Sequence, residues 1–320
     1  MTETYSICSI SARSRFGIRE GVMSLAVFAV SAVCAGDAVY DALASRQTVA
    51  VLVKEMAKRT VGANNKVLLD MPYYPEGTRM DAAGLAKCRM DFRYPADVKG
   101  FRTLVWLHSG GLTHGARHWV ALADTNIAQV AVSYRLLGKE AKRGEDCIED
   151  AAAAVAWALR NVASYGGDPK RVYVAGHSAG AYLSMMVGMD PRWLAKWGFK
   201  PTDLAGIVPI SGQTTAHFNV RKFAGDADPQ YQPKIDALSA LRYAGKNLPP
   251  ILSICGQPPW EWKARAEENR FLIASCKAFG HKNARYVELP YANHHRACSC
   301  GLPYLELFIR DALPQDMEAR

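Results

Sequence analysis

Two kinds of apolar stretch alternate along the chain. The first is short, continuous and partly β-branched: residues 103–107 in "FRTLVWLHSGG", then "IAQVAVSYRL", "RVYVAGHS", "LAGIVPIS", "PPILSICG" and "ARYVELPY". Such runs predict strands buried on both faces, where polar alternation is not required. The second is longer and carries polar positions at helical spacing. Residues 145–164, "EDCIEDAAAAVAWALRNVAS", are the clearest, with acids in the first turn and "YGGDP" to end it. "SAGAYLSMMVGM", "EWKARAEENRFLIASCKAF" and "LPYLELFIRDAL" predict further helices, as do residues 37–61. Before the first buried run, "KVLLD" and "CRMDFRYP" are strand-like, separated by a stretch with Pro72, Pro75 and Gly77.

Strands alternating with helices imply right-handed crossovers and a mostly parallel central sheet with helices on both faces. In open sheets of this class, ligands bind at the carboxyl ends of the strands. Length adds that 320 residues suffice for one large domain, expected over residues 37–320, since no linker-like segment or repeat divides the chain. Charge changes little. The 39 Lys and Arg against 30 Asp and Glu give a net charge of +9, but "KEMAKR", "KEAKR" and "VRK" are short, separated runs. This dispersion argues for solvated helix faces and against nucleic acid as a partner.

Arg13, Arg15 and Arg19 precede an uncharged stretch at residues 21–36, "GVMSLAVFAVSAVCAG". It is too short for a stable membrane span and reads as an export leader over residues 1–36, with an amphipathic helix as the alternative. A periplasmic or secreted location is therefore favoured over a cytoplasmic one. Cleavage after Ala35 would leave Cys88, Cys147, Cys255, Cys276, Cys298 and Cys300, whose pairing the sequence does not choose. "HHRACSC" lacks paired Cys-x-x-Cys spacing, so no metal site is expected.

Chemistry enters where strand gives way to helix. In "VYVAGHSAGAYLSMMV", Gly176 and Gly180 flank Ser178 at two positions either side. A serine pinned at such a bend projects from the sheet's edge while glycines admit the neighbouring backbone, and the following helix aims its positive end there. Upstream, "LVWLHSGGLTHG" places Gly110 and Gly111 just after a buried strand. Their unshielded N–H groups, with that of Ala179, form a candidate oxyanion cradle. A serine hydroxyl needs a base. Of eight histidines, His177 adjoins the serine and its side chain is expected to point elsewhere, while His108 belongs to the glycine motif and has a structural place. His114 and His118 share helical spacing without a third ligand in view, and His217 and His281 are expected to face solvent. "YANHHRA" leaves His294 or His295, on a loop after the last strand; His294 is assigned as the base with His295 as the alternative. The acid must follow the preceding strand, and "PPILSICGQPPWEWKARAEE" offers Glu261 first, with Glu267 and Glu268 inside the helix. Asp226 and Asp228 in "FAGDADP" have turn roles as their plain reading.

With those residues named, the chain over roughly residues 67–313 resembles the α/β-hydrolases of the hormone-sensitive-lipase-like, carboxylesterase and acetyl-esterase group. That family's His-Gly-Gly-Gly element has its counterpart in His108-Ser109-Gly110-Gly111, its strand and tyrosine-arginine pair in "VAVSYRL", and its run into the nucleophile in "GGDPKRVYVAGHSAG". Two departures stand out. Gly256 is followed by "QPPWEW", so the acid slips to Glu261, and the usual Asp/Asn-His appears as Asn293-His294-His295. The resemblance implies carboxylic-ester hydrolysis through a serine-bound acyl intermediate, with a small-molecule ester as partner and neither metal nor organic cofactor. A short insertion before the penultimate strand, residues 213–246, stands where true lipases carry a lid, so small or short-acyl esters are expected. The alternatives are an aryl-formamidase or other amidase using the same machinery, and a silent binding protein on the same fold.

Overall fold

The computed structural model describes residues 64–314. The expected leader at residues 1–36 and the expected helix at 37–61 lie outside the described residues. Eight strands are described: β1 (Asn65–Pro72), β2 (Arg89–Pro95), β3 (Phe101–Leu107), β4 (Ala128–Val132), β5 (Gly167–His177), β6 (Gly206–Ile210), β7 (Ile251–Gly256) and β8 (Ala284–Leu289). They form one sheet in the order β1-β2-β4-β3-β5-β6-β7-β8. β2 runs antiparallel to β1 and β4, and every pairing from β4 across to β8 is parallel.

The helices are α1 (Ala82–Lys87), α2 (Gly144–Asn161), α3 (Ala179–Met189), α4 (Pro191–Ala195), α5 (Phe218–Phe223), α6 (Arg265–Ala278) and α7 (His294–Ile309). Alternate residues of one strand enter opposite cores, as the two-residue period of a strand requires. On β3, Val105 and Leu107 pack with the alanines of α2, with Met185 and Met186 of α3, and with the face that includes Leu272 and Cys276 of α6. Leu104 and Trp106 face the other way, onto Ala297, Tyr304, Leu305 and Phe308 of α7. Two-sided burial is why these strands read as unbroken apolar runs. Alanine along α2 keeps that helix close to the sheet, and Glu145 and Asp146 in its first turn suit the positive end of the helix dipole.

One ion pair ties the antiparallel edge to the parallel body. Asp150 of α2, fully buried, accepts from Tyr74 Oη at 2.7 Å, from the Arg135 N–H at 2.8 Å and from Arg135 Nη2 at 2.7 Å. Tyr134, next in line, donates to the His108 carbonyl at 2.8 Å and stacks on the His108 ring at 4.1 Å. The tyrosine-arginine pair after β4 therefore holds the loop that leaves β3.

The segment 213–246 between β6 and β7 contains the short helix α5 and is fastened by charge. Asp226 accepts from Arg221 Nε at 2.8 Å and from Lys234 Nζ at 2.7 Å, so the aspartates of "FAGDADP" serve the turn. His217 and His281, expected in solvent, are buried. His217 Nδ1 accepts from the Asn219 N–H at 3.2 Å to cap α5, and His281 Nδ1 accepts from the Asn283 N–H at 3.1 Å. A histidine's capping role has no periodic signature, so the sequence could not separate it from a surface residue. Among the described residues, Cys88, Cys147, Cys255, Cys276 and Cys298 are free thiols, no group of three or more His, Cys, Asp or Glu side chains could hold a metal ion, and no helix is long and apolar enough to cross a membrane.

Candidate active site

β5 ends at His177 and α3 begins at Ala179, leaving Ser178 alone at the bend with φ 55° and ψ −111°. A non-glycine residue in this region costs on the order of 1–3 kcal/mol, a strain found where function or packing demands it. The flanking glycines are required by contact. A Cβ at Gly180 would lie 1.9 Å from the Leu107 carbonyl oxygen, and one at Gly176 would lie 2.5 Å from the Gly180 backbone. β3, the bend and the first turn of α3 thus touch through bare backbone.

Across the strand ends, Ser178 Oγ and His294 Nε2 are 2.9 Å apart, and His294 Nδ1 and Glu261 Oε1 are 2.7 Å apart. The carboxylate at Nδ1 fixes the ring proton there, so Nε2 presents a lone pair to the serine hydroxyl. His294 is buried and opens α7, whose cap Asn293 accepts from the Arg296 N–H at 2.9 Å. The expected loop is thus the first turn of a helix. His295, the alternative base, is exposed, and its ring centre lies 5.8 Å from that of His294.

Glu261 reaches the imidazole because residues 257–261 turn back on themselves, with Gln257 O accepting from the N–H groups of Trp260 at 3.0 Å and Glu261 at 3.1 Å. All four of its acceptor positions are used. Oε1 takes the Trp262 N–H at 2.8 Å beside the imidazole, and Oε2 takes Ser211 Oγ at 2.6 Å and the Gly256 N–H at 3.1 Å. Burial alone would raise this carboxyl. The hydrogen bond and charge of His294, with the Ser211 and Trp262 donors, outweigh it and hold the group at about 2. Burial also dominates at His294 and lowers its pKa below 6.5, with Glu261 pulling the other way.

Two supporting residues escaped sequence reading. Ser211 directly follows β6 with φ 51°, and its place at a parallel strand's carboxyl end was the available signal. His177, read as facing away from the reaction centre, donates from Nε2 to the His294 carbonyl at 2.8 Å. Its pKa is pushed down to about 4, chiefly by burial, so the ring is neutral and its proton stays on the nitrogen facing that carbonyl.

The glycine loop after β3 leaves the sheet against Gly180, whose hydrogen would be replaced into the Leu107 and His108 carbonyls by any side chain. Gly110 and Gly111 have φ of 112° and 59°. Asn219 Nδ2 of α5 donates to the Gly111 carbonyl at 2.6 Å, and the Gly110 carbonyl accepts from the N–H groups of Thr113 and His114. Both carbonyls are thereby engaged, which orients the two peptide units. Aromatic rings wall the other side. Trp262 stacks on His294 at 4.1 Å and 12°, and Phe218 lies 6.2 Å from Trp262 and 6.4 Å from Tyr231. Phe223 packs at Gly138 and Tyr243 on Arg192, away from these rings.

Known proteins resemble this chain in sequence over part of its length and in fold. The BD-FAE family model matches residues 90–193, the span from β2 through the nucleophile bend and α3. A probable isoprenylcysteine alpha-carbonyl methylesterase from Oryza sativa subsp. japonica is 36% identical over 102 residues, 30% of this chain and 24% of that protein. Esterase LipC from Mycobacterium tuberculosis is 26% identical over 205 residues, 59% of this chain and 50% of that protein. The chain spans between 18% and 50% of the length of these and similar curated relatives. Among solved structures, a truncated carbohydrate esterase from gut microbiota superposes with a TM-score of 0.59 at 15% identity, covering 79% of this chain and 98% of that one. The propionate-bound esterase 2 of Thermogutta terrifontis gives 0.57 at 17% identity, covering 78% and 96%.

Proposed function

We propose, for a chain with the α/β-hydrolase fold, the function of a serine carboxylesterase acting on small or short-acyl esters. The observation that carries this reading is the unbroken relay of 2.9 Å from Ser178 to His294 and 2.7 Å from His294 to Glu261. Sequence similarity to esterases supports it independently.

The steps follow from the geometry. Ser178 Oγ attacks the ester carbonyl carbon as His294 Nε2 takes the hydroxyl proton. The imidazolium that forms is stabilised by Glu261, already ionised. Negative charge moves to the former carbonyl oxygen, for which the N–H groups of Gly110, Gly111 and Ala179 are the proposed donors. Collapse breaks the bond to the alkoxy oxygen, which leaves as the alcohol with the proton from His294. Water then attacks the acyl-serine, gives a proton to His294, and the carboxylic acid departs as Ser178 Oγ is reprotonated. The short segment 213–246, fastened by its aspartates, supports compact acyl groups.

Fluorophosphonate labelling followed by ester turnover tests the assignment. Ser178→Ala should abolish labelling, and His294→Ala should slow it by about three to four orders of magnitude, in line with other triads. His295→Ala should label as the parent does. Retained labelling in His294→Ala, or faster cleavage of an aryl formamide than of the matched formate ester, would replace this reading.

A further inference from the structure

Arg265 is the first residue of α6 and only 4% exposed. By contrast, the half-buried Arg135 and the buried Arg221 each close on an aspartate. Among the described residues, the Arg265 guanidinium donates no hydrogen bond and enters no ion pair; its contact is the Trp262 ring, with Cζ 5.9 Å from the ring centre. A guanidinium carries five N–H donors in a planar fork that matches a carboxylate. Its nitrogens are not among the sealed unpartnered atoms of the described residues, so the fork stays open to an incoming anion.

The nearest carboxylates supply charge and no hydrogen bond. Glu261 is committed to His294, Ser211, Trp262 and Gly256. Glu268 accepts from the Thr214 N–H at 3.0 Å and from Thr215 Oγ at 3.4 Å, which fastens the segment after β6 to α6. Both sit close enough to be felt at Arg265, but burial dominates and draws the group below the usual arginine value.

The position of this cation matters as much as its isolation. Trp262, on which it rests, stacks on the imidazole of His294. Phe218 bridges Trp262 to Tyr231 and stacks on His217 at 4.5 Å. Burial lowers both His294 and His217, and the charge of Arg265 adds to the lowering at each. The guanidinium therefore belongs to the ring of side chains around the base.

We propose that Arg265 is an anion-binding subsite of this centre, and that the preferred ester carries a carboxylate beside the Trp262 and Phe218 rings. The inference rests on the ester-hydrolase reading. A carboxylate there would fill the donor fork bidentately, while the rings accept the flat or apolar part of the molecule. The carboxylate can belong to the acyl half or the alcohol half, and substrate pairs separate these.

The test uses the full chain, Arg265→Met and Arg265→Lys. One pair is 4-nitrophenyl hydrogen glutarate against its methyl ester; the other is 4-acetoxybenzoate against methyl 4-acetoxybenzoate. Arg265→Met should lower kcat/KM for the carboxylate member of one pair by about ten- to a hundredfold, the range for hydrogen bonds to charged groups. The neutral member should fall by less, so that the charged-to-neutral ratio of kcat/KM drops, and Arg265→Lys should recover part of that ratio. Loss on the glutarate assigns the anion to the acyl half, and loss on the acetoxybenzoate to the alcohol half. Equal loss on charged and neutral esters, or none on either, overturns the subsite. A readout without turnover separates this from failure of the esterase reading: free glutarate or benzoate should slow fluorophosphonate labelling of Ser178 in the parent and not in Arg265→Met. Equal protection of both proteins, or of neither, refutes the proposal even if no ester is cleaved.

Discussion

In the proposed mechanism, His294 can take a proton only when it arrives unprotonated. Burial lowers its pKa below 6.5, so the ring is neutral at pH 7 and loses function as acid converts it to imidazolium. The expected profile of kcat/KM is therefore level near pH 7, with an acid-side inflection below 6.5 and a tenfold fall per unit beneath it. Initial rates on a neutral ester across pH 4.5–8 check this, and an inflection above 6.5 would contradict it. Glu261 stays ionised throughout, held at about 2. At this scale the sequence was legible for groups tied to a motif and opaque for those tied only to space. Ser178 announced itself through flanking glycines. Ser211, which bonds Glu261, and Arg265, which rests on Trp262, carry no local pattern. His177 had a position in the motif yet no sign of which way its ring would turn.

At the scale of elements, the junction of β5 and α3 depends on two absent side chains. Gly180→Ala would drive a methyl to 1.9 Å from the Leu107 carbonyl oxygen, so we expect a loss on the order of 3 kcal/mol in urea unfolding, together with slower labelling of Ser178. Gly225 makes the contrast. Unlike Gly180 it has positive φ, at 80°, and nothing stands within 4 Å of its would-be Cβ. Gly225→Ala should cost about 1 kcal/mol, the backbone penalty alone. Elements such as α2, β3 and β5 were readable because core burial imposes a period or an unbroken run. The start of α7 was not, because "YANHHRA" has no apolar period before Ala297 and its helix begins on a cap, Asn293. The acid loop was readable only as a departure, since residues 257–261 place Glu261 by turning back.

Across the whole molecule, the parallel body and its antiparallel edge are joined through Asp150, which gathers Tyr74, Arg135 and α2 at full burial. Asp150→Ala strands a guanidinium and a phenol together, and a loss of about 3–5 kcal/mol is expected by thermal or urea unfolding. Because Tyr134 holds the His108 carbonyl, the loss should also reach the glycine loop, and a drop in kcat on neutral esters is the accompanying readout. An unchanged midpoint would show that the pair is dispensable. Fold class was open to sequence because it follows from the order of strand and helix patterns. Long-range pairings such as Tyr74 with Asp150, 76 residues apart, follow from the closed fold and have no counterpart in local pattern.

The hydrogen bond from His177 to the carbonyl of His294 joins the immediate neighbour of Ser178, the proposed attacking group, to the main chain of its proposed proton acceptor. Those two groups come from β5 and from beyond β8, with β6 and β7 lying between. A brace of that kind makes donor and acceptor drift together when the intervening strands breathe, so the gap that the proton must cross is insulated from the sheet's own twisting.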